Sequence, residues 1–412
     1  MKGSKMRVYL NLMAGAALVL GSSTAMTRVA AADDKPVSMI QCGDTLAETY
    51  PDLIKQWEAK NPGYKVSVEL VGWDQCQDKV TTLAAAGTPV ALAYVGSRTL
   101  KQFAQSDLIV PIPYTDAEKA AYYPYIVDTV TFSGQQWGFP TAFSTKAFFW
   151  NKDLFTKAGL DPNKPPTTWD EMFNDAQIIK AKTGIPGYGL PAKTMDNTMH
   201  QFLHYVYTNN GTVIDKDGNI TLDSPQNLEA LEFIKKLVPV SEDGPSAYDQ
   251  DDMIKIFSDG KVAMIEGGPW VRNQVPKTIN WGVSALPVGP EAKGPGTLLI
   301  TDSLAVFKGT GVETQAIDLA KWLTNPDNQF AYESTHGLTP MRPVAGVKDL
   351  VAKDPTWKPF LDGISFGGPE PLFLDYKGFQ NVMIDMVQSV VTGQADPKDA
   401  LTKAAGDIKQ YE

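Results

Sequence analysis

Only two cysteines occur in 412 residues, which excludes a small scaffold stapled by disulfides. No lysine- and arginine-rich run is present, and acids outnumber bases by 47 to 37, so the electrostatic footprint of a nucleic-acid-binding protein is missing. Neither a Walker loop nor a G-x-G-x-x-G segment is found. Beyond the first residues, no apolar stretch approaches the ~20 residues that a bilayer span requires. What is present is an ordinary globular balance, 43% hydrophobic and 20% charged, with a net charge of −10. The length suggests two or three domains, each able to bury a core.

The first 32 residues read as an export signal. Lys2, Lys5 and Arg7 form a basic start, Val8 to Gly21 is apolar, and Ala30-Ala31-Ala32 supplies small residues for a cut before Asp33. The alternative, a permanent N-terminal anchor, is disfavoured by the short apolar part. No cysteine sits near the cut to carry a lipid. Removal takes away four basic residues and no acid, leaving a mature charge of −14.

Export places both cysteines in an oxidising compartment. Cys42 lies in a predicted first strand, and Cys76 follows a predicted second one. Neighbouring strands would let a disulfide tie their ends; the alternative is a pair of buried small hydrophobes.

After the signal, strands and helices alternate. Val37 to Gln41 and Tyr64 to Val71 read as strands, Thr45 to Asn61 and Gln75 to Ala86 as helices, and Val90 to Val95 as a buried apolar strand. This βαβαβ order implies a parallel sheet, whose ligands bind at the carboxyl ends of the strands. The loops to watch are therefore Gln41 to Thr45, Gly72 to Gln75 and Gly96 to Thr99. Further on, Lys146 to Trp150 and Thr297 to Phe307 read as strands, Thr314 to Gly337 as largely helical, and Asp375 to Thr392 as a late helix.

Three stretches carry a family pattern. The first is Trp150-Asn-Lys-Asp-Leu-Phe-Thr-Lys-Ala-Gly-Leu-Asp-Pro162, followed by Pro-Pro-Thr-Thr-Trp-Asp-Glu171. The second is Phe257-Ser-Asp-Gly-Lys-Val-Ala-Met-Ile-Glu-Gly-Gly-Pro-Trp270, and the third runs from Ala320-Lys-Trp-Leu-Thr-Asn-Pro-Asp-Asn328 to Gly337-Leu-Thr-Pro-Met-Arg-Pro343. In order and spacing they resemble the bacterial extracellular solute-binding proteins of family 1, which serve ABC importers and include the maltose-binding proteins. The resemblance implies a periplasmic binding protein fold: two α/β lobes, a hinge of several chain crossings, and a ligand cleft between the lobes. By position, residues 33–141 and 297–337 form the first lobe and residues 142–296 and 338–412 the second. Breaker-rich segments at Phe139-Pro140, Pro287 to Gly296 and Pro340 to Pro343 suit such crossings.

The resemblance also nominates site residues. Trp270 matches a sugar-stacking tryptophan of the maltose-binding relatives; its alternative is a packed core position. Gln41 and Asp44 occupy the loop after the first strand, where relatives place polar contacts, although Asp44 also suits a helix cap. Trp73 and Asp74 end the second strand. Ser97 and Arg98 fall where the maltose-binding relatives carry an Asp-Arg pair, and Ser144 where they carry a glutamate, so this pocket is expected to be less acidic than a maltose site. Thr198 and His200 match the ligand-facing segment of the second lobe. Arg342 at the third crossing either faces the cleft, where its guanidinium forks to hydroxyls or an anion, or braces the lobes. Asp375 and Tyr376 either border the cleft or simply start the last helix.

Catalytic patterns are weak. Gly363-Ile-Ser365-Phe-Gly367 fits a nucleophile elbow, but Gly368-Pro369-Glu370-Pro371 follows where a helix is required, and His336 precedes the serine. His200 and His204 lack the intervening glutamate of a zincin, and Asp215-Lys-Asp217-Gly218 lacks the remaining ligands of an EF-hand. The adjacent acids Asp251 and Asp252 do not face each other on a helix. The expectation is thus a non-enzymatic periplasmic receptor, monomeric, without cofactor or metal, that captures a carbohydrate and delivers it to ABC permease subunits. Polyols, glycerol phosphates or other anionic sugar derivatives are the alternative ligands. A secreted glycoside-cleaving enzyme and a chemoreceptor accessory are the alternative roles.

Overall fold

The computed structural model describes residues 34–43, 46 and 48–411; the expected export signal lies outside them. Strand β1 (Lys35–Cys42) pairs in parallel with both β2 (Tyr64–Val71) and β3 (Leu92–Gly96), giving the expected βαβαβ unit. Helix α1 (Tyr50–Lys60) turns Tyr50, Leu53, Ile54 and Trp57 inward at the spacing of one helical face. The Trp57 indole N–H then donates to Asp318 at 2.8 Å, fastening α1 to helix α6 (Glu313–Leu323). Helix α2 (Trp73–Ala85) starts two residues earlier than expected. The Gly72 carbonyl accepts from both the Gln75 and Cys76 N–H groups, so Trp73 and Asp74 open a helix rather than end a strand. Cys42, the last residue of β1, is disulfide-bonded to Cys76 on α2, with Cα atoms 5.5 Å apart.

The main sheet is completed by strands that return from the other half of the molecule. Strand β4 (Phe139–Ser144) and β3 both run antiparallel to β8 (Thr297–Val306), and β9 (Gly367–Pro369) adds in parallel to the start of β8. Every residue of β8 is buried. Leu298 and Ile300 at its start belong to one apolar cluster, whereas Leu304 to Phe307 at and just beyond its end belong to another. The strand therefore threads from one packed body into the next. Strand β4 runs beside it, with Phe139 and Ala142 in the second of these clusters and Phe143 in a smaller one, and the segment Leu338 to Arg342 lies alongside, where the Thr339 N–H donates to the Phe143 carbonyl at 3.0 Å.

The second body is built on a smaller antiparallel sheet, with β5 (Ala147–Asn151) between β6 (Met264–Gly267) and β7 (Trp281–Ser284). Alternation along β5 sends Phe148 and Trp150 into a large helical cluster, while Ala147 and Phe149 pack with Phe257, Val271 and Phe360 on the opposite face. Helices α3 (Asp196–Thr208), α4 (Pro225–Leu237) and α8 (Tyr376–Val391) are the largest contributors to the larger cluster. The segment expected as largely helical is two helices, α6 and α7 (Pro326–His336), divided at Asn325, which caps α7 by accepting the Asn328 N–H. Helix α5 (Gln250–Ser258) lies beside β6. No helix among the described residues is long and apolar enough to cross a membrane.

Candidate functional site

Where the two bodies meet, one buried arginine gathers three carboxylates. Arg98 stands two residues past the end of β3 and is only 4% exposed. One terminal nitrogen donates to Asp302 Oδ1 at 3.3 Å and Glu370 Oε2 at 3.1 Å, and the other to Asp196 Oδ2 at 3.4 Å. Asp302 comes from β8, Asp196 opens α3, and Glu370 directly follows β9, so the cage has walls from both halves. The bend that brings the guanidinium back depends on Gly96, because a Cβ there would lie 2.6 Å from the guanidinium carbon.

Each acid is also held from a second side. The His200 Nε2 lies 2.7 Å from Glu370 Oε1, and the Tyr376 hydroxyl donates to the same oxygen at 3.0 Å. The Trp73 indole N–H donates to Asp196 at 3.0 Å and the Tyr94 hydroxyl to Asp302 at 2.8 Å. Burial works against the charge on Arg98, but Glu370, Tyr376, Asp302 and Asp196 outweigh it and hold its pKa well above the usual arginine value. Burial likewise opposes ionisation of Glu370 and Asp196; Arg98 and His200 overcome it at both, and both carboxyls titrate below their ordinary range. Asp302 goes the other way. Burial and the neighbouring acids push it up to about 6 despite Arg98 and Tyr94.

A second cation stands nearby. Lys146, just before β5, is buried, donates to Gln250 at 3.4 Å and lies 4.5 Å from the centre of the Trp270 ring. Burial draws its pKa down to about 8, with Asp196 and Glu370 resisting. The Trp270 ring lies against Gly268, where any Cβ would come within 2.1 Å of it, which explains the Gly-Gly-Pro approach to that tryptophan. Trp270 packs against apolar clusters of both bodies.

Arg98 borders two cavities. One of about 1020 Å³ runs past Ser97, Tyr125, Thr301, Tyr207 and Glu370, and one of about 200 Å³ is walled by Trp73, Asp196 and Tyr376. Fixed carboxylates, a guanidinium and aromatic faces suit a hydroxylated solute: hydroxyls donate to the acids, and ring C–H faces lie on the aromatics.

Of the residues nominated from sequence, Arg98, Trp73, His200 and Tyr376 come together in this cluster. Trp270 stands beside Lys146. Ser97 shares its hydroxyl with Ser303 at 2.7 Å, and the Gln41 amide donates to its neighbour's carbonyl at 3.4 Å while its Oε1 is unpaired. The Thr198 hydroxyl is spent on the Lys193 carbonyl, and Ser144 is buried within β4. Two nominations sit apart from the cluster. The Asp375 carboxylate accepts the Gly378 N–H at 3.0 Å as the cap of α8. Arg342 donates to the Thr324 carbonyl at 2.8 Å and lies 3.7 Å over the Tyr122 ring, where an aromatic pocket rather than the cleft holds it. Asp44 and the side chain of Asp74 lie outside the described residues.

Asp196, Asp302 and Glu370, and with them Lys146, Gln250 and Tyr94, stand in the candidate site without having been nominated from sequence. The signal for Asp302 was the one acid in the middle of a long strand, and for Glu370 a carboxylate framed by Pro369 and Pro371. The serine of the elbow-like motif follows one short helix and precedes β9, the reverse of the strand-to-helix order an elbow requires, and its hydroxyl donates to the Asp362 carbonyl. His200 and His204 each take a separate carboxylate, the second pairing with Glu266 at 2.7 Å. Among the described residues, no group of three or more His, Cys, Asp or Glu side chains is arranged to hold a metal ion.

Residues 43–330 match the family of bacterial extracellular solute-binding proteins. The chain belongs to that family. A putative binding protein of Brucella abortus is 29% identical to this solute-binding protein over 374 residues, covering 88% of this chain and 90% of its own. The sn-glycerol-3-phosphate-binding periplasmic protein of the same species is 32% identical over 204 residues, 47% of this chain and 46% of its own. Among solved structures, an ABC transporter solute-binding protein of Thermotoga lettingae, bound with α-D-tagatose, superposes with a TM-score of 0.83 at 27% identity, covering 92% of this chain and 99% of its own. The periplasmic binding protein fold is thus shared over nearly the whole described chain, and the family and its structural neighbours are binding proteins rather than enzymes.

Proposed function

We propose that this solute-binding protein is exported to the periplasm by its first 32 residues, captures a carbohydrate between its two lobes, and delivers it as a monomer to the permease subunits of an ABC importer. The lobes are assigned as residues 33–141 with 297–337, and 142–296 with 338–412. The observation that carries the reading is the Arg98 cage, in which acids from both bodies converge beside a cavity of about 1020 Å³ with tyrosine walls. Polar groups from both bodies that converge on one cavity hold a hydroxylated guest in the closed arrangement, and a guest touching both sides stabilises that arrangement further. The α-D-tagatose bound by the Thermotoga relative supports a carbohydrate as the solute. Trp270 supplies a stacking face and Trp73 and Tyr376 further aromatic contact.

A thermal-shift screen of the mature protein against mono- and disaccharides tests this. A saccharide at about 1,000 times its dissociation constant raises stability by about 4 kcal/mol. A melting temperature that rises with saccharide concentration supports the reading, and no response to any of them overturns it.

A further inference from the structure

We propose that Glu370, together with Asp302 and Asp196, makes the cleft selective for uncharged over anionic sugars by occupying the guanidinium of Arg98. This rests on the carbohydrate reading and narrows its substrate class. An arginine buried in a ligand cleft ordinarily grips phosphate or carboxylate with its forked N–H groups. Here the fork is already used: Glu370 and Asp302 share one terminal nitrogen, and Asp196 takes the other.

The acids have little freedom to withdraw for an incoming anion. Glu370 is held by His200 and Tyr376 and framed by two prolines; Asp302 is held by Tyr94, and Asp196 by Trp73. The guanidinium is folded against Gly96, within 2.6 Å of where a Cβ would stand, so its position is set by the backbone as well. Lys146, a second buried cation beside the cage, lies in the field of the same three carboxylates and is bonded to Gln250. Three acids therefore stand among Arg98, Lys146 and His200, and each terminal nitrogen of the guanidinium already meets a carboxylate. A phosphate entering from either cavity meets carboxylate oxygens, with which it shares no proton, whereas a sugar hydroxyl donates to them. Repulsion of the wrong partner is an ordinary route to specificity. The glycerol-phosphate-binding relative matches only 47% of this chain, and in this chain the acid cage provides the discrimination.

The test is calorimetric titration of the mature wild type, Glu370→Gln and Asp196→Asn with glycerol 3-phosphate and glucose 1-phosphate, beside glucose, maltose and D-tagatose as neutral probes. The expected result is a wild type that binds a neutral saccharide but neither phosphate. At least one amide variant is expected to bind a phosphate ester at least tenfold more tightly than the wild type. Asp196→Asn lies at the edge of the cage and serves should Glu370→Gln not fold. A wild type that takes either phosphate as tightly as the best neutral probe overturns the inference. So does a folded variant set as refractory to phosphate as the wild type; both leave the carbohydrate reading intact. A wild type that binds no neutral saccharide overturns the carbohydrate reading and this inference with it.

Discussion

Glu333 on α7 is 2% exposed, and one of its oxygens accepts from Gln329 at 3.0 Å and from the Met341 backbone at 3.1 Å. Burial pushes its carboxyl up to about 8 against those bonds and the nearby Arg342. A carboxyl protonated in the folded chain to about pH 8, against 4.5 when unfolded, contributes stability that is full below about pH 4.5 and lost as pH rises through 8. Urea unfolding at pH 5 and pH 8 should therefore show a more stable protein at pH 5. Glu333→Gln should remove on the order of 4 kcal/mol of that difference; an unchanged pH dependence would contradict the assignment. Asp375 makes the opposite kind of prediction. As a helix cap, its replacement by Ala should cost about 1 kcal/mol of stability by urea unfolding and leave saccharide affinity unaltered by calorimetry. At this scale the sequence was legible where a residue type and its loop agreed, as with Arg98 after an apolar strand. For Asp302 and Glu370 it offered only weak signals, an acid inside a strand and a carboxylate between prolines, because the cation that gives a buried acid its role faces it in space and not in sequence.

Among the elements, the βαβαβ start was readable because apolar periods of two and of three to four residues alternate cleanly between breakers. Strand β9 was not. Gly367-Gly-Pro369 has no side-chain period, and it is a strand only because β8 offers it an edge. The start of α2 was misjudged for a related reason, since the Gly72 carbonyl rather than a capping side chain opens that helix. The disulfide joins β1 to α2 across 34 residues of chain. Loop-closure entropy for that span gives about 4 kcal/mol. Paired Cys42→Ser and Cys76→Ser replacement should accordingly lower unfolding stability by about 2–4 kcal/mol in urea titrations, and a variant as stable as the wild type would show the bond to be energetically idle.

For the whole molecule, the polar cage also bridges the halves that β8 threads together. Arg98 to Asp196 and Glu370, Trp73 to Asp196, and Lys377 to Asp78 at 3.4 Å all connect groups assigned to different lobes. Removing one member of a buried charge cluster leaves the others uncompensated, at a cost of about 3–5 kcal/mol. Arg98→Met should therefore favour the open form, seen as an increased radius of gyration in small-angle scattering of the unliganded protein; an unchanged radius would show that closure does not depend on the cage. The two-body layout itself was legible from the order of the three family stretches, whereas the charge of the cleft was not.

The central claim is tested most directly by calorimetric titration of the mature wild type and Trp270→Ala with the saccharide that most raises the melting temperature. The account predicts one saccharide per wild-type chain and an affinity at least tenfold weaker in Trp270→Ala, as expected for a lost stacking face. Heat of binding from no saccharide, or equal affinity in the two proteins, would contradict it.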